Sequence, residues 1–175
     1  VHNNLSDAWF DACSFVGNDA RFGGAMRNLS SRPTISGSRF ESNTADLGGA
    51  VASDGASEVT FASSDFVLNM AGTGGAVYGY ECSATLLACE FESNEATAAG
   101  GGALLVGGGG VSSVRDCYFV GNTAGFGGAL YAFDVERLSI SNAVFEGNSA
   151  DDGGAAYLYD ATPSLRGSSF VGNTA

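Results

Sequence analysis

The sequence predicts an all-β chain wound into stacked coils, and three observations carry that prediction. A Phe-x-x-Asn motif recurs seven times, at Phe15-Asn18, Phe40-Asn43, Phe66-Asn69, Phe91-Asn94, Phe119-Asn122, Phe145-Asn148 and Phe170-Asn173, with 25 to 28 residues between successive Phe residues. A Gly-Gly-Ala motif follows Asn six times, at Gly23-Gly24, Gly48-Gly49, Gly74-Gly75, Gly101-Gly102, Gly127-Gly128 and Gly153-Gly154. Between the motifs, apolar and polar residues alternate over short stretches, and no stretch keeps a helical 3.6-residue period.

Each coil is justified element by element. Five residues before each Phe stands an apolar residue: Phe10, Ile35, Phe61, Leu86, Val114, Ile140 and Leu165. Two residues before it stands a small one: Cys13, Ser38, Ser64, Cys89, Cys117, Ala143 and Ser168. Gly-Gly-Ala is followed by Met26, Val51, Val77, Leu104, Leu130 or Ala156. Three short strands in ~25 residues cannot bury these faces alone, but identical neighbours ~4.8 Å away can cover them. The expected fold is a right-handed parallel β-helix, about seven coils of ~25–26 residues with three parallel sheets around one narrow core. The Phe residues stack inside it, the Asn residues occupy tight corners and bond from coil to coil, and the Gly pairs admit positive φ or close packing.

Composition narrows the function classes. Of 175 residues 27 are glycine, about twice the usual share, yet Gly has no collagen period and Pro occurs only twice. Nineteen acidic residues against seven arginines and no lysine give a net charge of −12, which excludes a basic nucleic-acid binder. No apolar run is long enough for a membrane helix. By register Val1 takes the place of Met26, and Ala175 falls short of a further Gly pair. Both ends cut through the repeat, so the expectation is one segment, residues 1–175, of a longer solenoid without its caps.

The paired Phe-x-x-Asn and Gly-Gly-Ala-(Ile/Val/Leu) motifs resemble the repeats of the polymorphic outer membrane proteins of chlamydiae. They are also similar to repeats in autotransporter adhesins and in extracellular proteins of protists. The complete absence of Lys differs from the AT-rich chlamydial members. The resemblance spans the whole chain and implies an extracellular, cell-surface β-helical stalk that works in adhesion or surface architecture.

Candidate sites are few. Tyr78, Tyr131 and Tyr157 should share one outward column with Arg27, a surface for a neighbouring protein or a glycan. Asp54, Glu81, Asp134 and Asp160 follow that strand; calcium bridging is one reading of them, and solvated carboxylates the better one. Asn4-Leu-Ser6 and Asn28-Leu-Ser30 fit the N-glycosylation pattern at equivalent loop positions. Cys89 and Cys117, on successive coils, are near enough for a disulfide, while Cys82 could alternatively reach Cys89. A polysaccharide lyase or hydrolase needs paired carboxylates or a basic residue beside calcium. The sequence offers only His2 near one end, and Arg115 and Arg166 two coils apart. The expected function is therefore structural and non-enzymatic, with no cofactor. Its partners would be other copies, neighbouring surface proteins or glycans.

Overall fold

A computed structural model describes all residues from Val1 to Ala175. The chain is all-β: 25 strands, most of three to five residues, and no helix, every paired strand parallel to its neighbour in the next coil. The strands form three sheets that run along the solenoid through about seven turns. Each regular coil contains four strand segments rather than three. The coil after the first Gly pair has Met26–Leu29, Thr34–Ser36, Arg39–Glu41 and Thr44–Leu47. The first two segments belong to one bent sheet, because they fuse into continuous strands further on, at Leu130–Ser141 and Ala156–Arg166.

Register follows the repeat. The column Phe10, Ile35, Phe61, Leu86, Val114, Ile140 and Leu165 is paired residue to residue. The seven Phe rings form one stack through the whole core, with centroids 4.6–4.9 Å apart and planes within 9° of parallel. Strand spacing imposes that distance, since ring separation and coil separation are nearly the same. Phe40, Phe66, Phe91, Phe119 and Phe145 have no exposed surface.

The Asn column is buried from Asn43 to Asn148, and its amides form a ladder. Asn122 donates from Nδ2 to Asn148 Oδ1 (2.9 Å) and to the carbonyl of Phe91 (3.0 Å). Its Oδ1 accepts from the backbone N–H and the Nδ2 of Asn94, each at 3.0 Å. Two donors and two acceptor sites are thus filled, the full capacity of an amide. The same pattern recurs at Asn43, Asn69, Asn94 and Asn148.

The corner conformation lies one residue earlier than expected. Left-handed φ values belong not to Asn but to the residue before it: Gly17, Ser42, Leu68, Ser93, Gly121, Gly147 and Gly172. One left-handed residue turns the chain, and Asn, on the strand side of the turn, is free to point inward. The two glycines of each pair have separate reasons. The first has positive φ, as at Gly101 (73°). The second does not, but a Cβ on Gly24, Gly49, Gly75, Gly102 or Gly128 would overlap the carbonyl oxygen of the second glycine in the next coil, and one on Gly154 that of Thr174. There the solenoid's backbones approach too closely for any side chain.

Candidate functional site

The outward column of the strand after Gly-Gly-Ala runs Arg27, Ala52, Tyr78, Leu105, Tyr131, Tyr157. The three tyrosines thus share one register column with Arg27, interrupted by Ala52 and Leu105, both buried. The tyrosines are half-buried rather than projecting. Burial pushes the phenols of Tyr78 and Tyr131 above their ordinary value, so both stay neutral.

What covers Tyr131 and Tyr157 comes from a different sheet. Phe126, at the end of the strand Thr123–Phe126, lies 6.5 Å from the ring of Tyr131 and 5.3 Å from that of Tyr157. Tyr131 is also 5.5 Å from Tyr157 and 5.3 Å from Phe133, and Phe133 is 6.2 Å from Tyr80. The result is an aromatic shelf across the junction of two sheets, extended on the next coil by Tyr159, the register partner of Phe133; Phe126, Tyr80 and Tyr159 are exposed. Phe126 is the member that sequence reasoning missed. Its spacing of five residues before Tyr131 repeats that of Phe22 before Arg27, which was the available signal.

Glycines set the orientation of the rings. A Cβ on Gly100 would strike the ring of Tyr131, and one on Gly107 would strike the ring of Phe133. Gly100 ends the only irregular Asn-to-Gly interval of the repeat, where Asn94 and Gly101 are seven residues apart. The irregularity therefore lies directly under the shelf.

The acidic residues do not form one rim. Asp54 sits at the end of its strand beside Leu29, whereas Glu81, Asp134 and Asp160 occupy the left-handed corner one residue further on. Gly55 and Gly108 occupy that same corner in their own coils, so only Asp134 and Asp160 are on adjacent coils. No three His, Cys, Asp or Glu side chains converge to hold a metal ion. Asp54 is instead paired with Arg27 at 3.2 Å, and the Arg27 guanidinium lies 4.6 Å above the Phe22 ring. This half-buried pair leaves Arg27 Nε and Asp54 Oδ1 without hydrogen-bond partners.

The two glycosylation candidates separate. Asn4 is exposed at the end of the strand His2–Asn4. Asn28 is fully buried within the strand Met26–Leu29, where it accepts from Asn3 Nδ2 and donates to Ser53 Oγ. It is therefore no acceptor in the folded chain, which corrects the expectation from its triplet. Nor are the two positions equivalent, since Asn3, not Asn4, pairs with Asn28. All four cysteines are free thiols. Cys89 and Cys117 are buried in the small column, where the Cys89 N–H donates to Cys117 Sγ and each thiol faces a carbonyl two residues back. The Cys117 contact and burial push the Cys89 thiol well up, and burial pushes Cys82 up to about 12. His2 is exposed on an edge strand, and Arg115 and Arg166 lie in one column separated by Ser141.

Parallel pairing throughout and three sheets that run from coil to coil define a parallel β-solenoid. The model of the right-handed β-helix region family matches residues 1–124, more than half of the chain, and the chain belongs to that family. A comparison with curated proteins gives no match.

Proposed function

We propose that the chain is a non-enzymatic structural element: a rigid β-helical rod that serves at the cell surface as a stalk or as a component of a filament. One observation carries this reading. The Phe stack and the Asn ladder run through every coil in register, so each coil is held by both neighbours, and bending the rod would open many bonds at once. The surface location follows from the resemblance of the repeats to those of surface proteins with similar motifs. Antibody labelling of intact against permeabilised cells tests it: signal on intact cells is expected, and signal only after permeabilisation overturns the location.

Right-handed β-helices also include polysaccharide-active enzymes, and a turnover assay separates the readings. Incubation with acidic polysaccharides, with and without Ca²⁺, is expected to give no unsaturated product and no new reducing ends. Turnover in either condition overturns the structural reading.

A further inference from the structure

The aromatic shelf has a chemical character that the rest of the rod lacks. Residues 81–160 carry eleven carboxylates and only two arginines, whereas the first eighty residues carry eight carboxylates and four arginines. All four of those arginines are paired with acidic side chains. Apart from Tyr80, the shelf lies within that acidic stretch. Asp152 pairs in register with Phe126 on one side of it, and Asp134 and Asp160 directly follow Phe133 and Tyr159 on the other. Each of these three carboxylates is exposed, and none has an arginine partner.

The first coil shows what such a surface accepts. Phe22 and Arg27 hold the positions that Phe126 and Tyr131 hold in the shelf, since each pair is five residues apart and each second member falls in the same outward column. There the guanidinium of Arg27 lies over the ring of Phe22 and reaches Asp54 on the next coil. The fold thus already places a cation between a corner aromatic and a strand-end carboxylate. In the shelf the aromatic groups multiply, aromatic rings take the register position of Asp54, and the carboxylates of Asp134 and Asp160 stand at the corner one residue further on, without an arginine partner. Rings seated on Gly100 and Gly107 are held in place before any ligand arrives, which lowers the ordering cost of binding.

We propose that this shelf is a docking surface for an arginine-rich segment of a protein partner. Its guanidinium groups stack on the exposed faces of Phe126, Tyr131 and Tyr159 and pair with Asp134, Asp152 and Asp160. Guanidinium suits the site better than ammonium, because its plane stacks on aromatic rings while its edge donates to carboxylates. A neutral sugar would use the rings but leave the charge asymmetry without a role.

The test is binding of fluorescent octa-arginine to the full 175-residue chain at 0.15 M salt, alongside octa-lysine, an uncharged Gly-Ser peptide and cellohexaose. Octa-arginine is expected to bind several-fold more tightly than octa-lysine. The exposed double variant Asp134→Asn/Asp160→Asn should weaken it about tenfold, and Tyr131→Ser/Tyr159→Ser by a similar factor. Tyr131→Phe should retain binding, and it separates loss of the ring from loss of fold. The control Glu90→Gln/Glu92→Gln removes two charges from a different sheet and should change affinity less than twofold. Equal weakening by the control and the shelf variants would reduce the effect to net charge and overturn the proposal. No octa-arginine binding, or a shelf that takes only cellohexaose, would overturn it too. None of these outcomes bears on the non-enzymatic reading, which the turnover assay tests separately.

Discussion

Truncating one interior rung of the Asn ladder should cost far more than truncating the same residue at an end. In Asn122→Ala, the backbone N–H and one Nδ2 proton of Asn94 lose their acceptor, and both belong to a residue 1% exposed. The Phe91 carbonyl loses one donor as well. A buried polar group left without a partner costs about 1–3 kcal/mol, so the two stranded donors of Asn94 alone imply about 2–6 kcal/mol. That is a large share of the 5–15 kcal/mol that holds a typical domain together, roughly. Asn18→Ala removes a side chain that is exposed and only donates, to Asn43 Oδ1, which keeps the Asn18 backbone N–H. Its cost should be at most ~1 kcal/mol. Guanidinium unfolding followed by far-UV circular dichroism, with matched m-values, compares the two. Equal costs, or less than ~1 kcal/mol at Asn122, would refute the ladder as a source of stability.

Other expectations follow from the same coil. Phe119→Ala leaves a hole between two rings stacked at 4.8–4.9 Å, and should cost about 3–5 kcal/mol by the same unfolding measurement. Gly102→Ala puts a methyl group against the Gly128 carbonyl and the Thr123 backbone, and should lower the melting temperature more than Gly121→Ala, whose site has only the Ser93 hydroxyl nearby. Leu68 has φ 55° at a corner where four other coils have glycine, so Leu68→Gly should stabilise the chain by about 0.5–1 kcal/mol. Because burial raises the Cys82 pKa to about 12, its reactive thiolate is absent at pH 8 and appears only as pH approaches that value. Iodoacetamide at pH 8 should therefore modify half-buried Cys13 and spare Cys82 and Cys89 until the chain is denatured, as peptide mass mapping would show.

The coil was legible in the sequence because its physics is periodic. Stacking identical positions at the strand spacing makes every inward residue its own neighbour, so Phe, Asn and Gly-Gly recur as columns that one sequence displays. What escaped was the geometry inside a column. Asn marks a corner, but the left-handed residue is the one before it, filled by Gly, Ser or Leu with no single signature. The first sheet read as fewer strands because the left-handed corner that divides each of its passes, at Ser30, Gly55, Glu81, Gly108, Asp134 and Asp160, has no single residue signature. Asn28 matched a surface triplet while its position in register made it a buried rung between Asn3 and Ser53. The shelf was only half visible. Its tyrosines share a column, but Phe126 reaches them from another sheet, a neighbour relation that periodicity along one column cannot express.

Amide hydrogen exchange tests the central claim, that each coil is locked by both of its neighbours, most directly. The backbone N–H groups of Asn43, Asn69, Asn94 and Asn122 all donate to the next rung. They should exchange together, at rates set by one cooperative opening, with faster exchange confined to the outermost coils. Independent and rapid exchange of these interior amides under native conditions would contradict a rigid, continuously laddered rod.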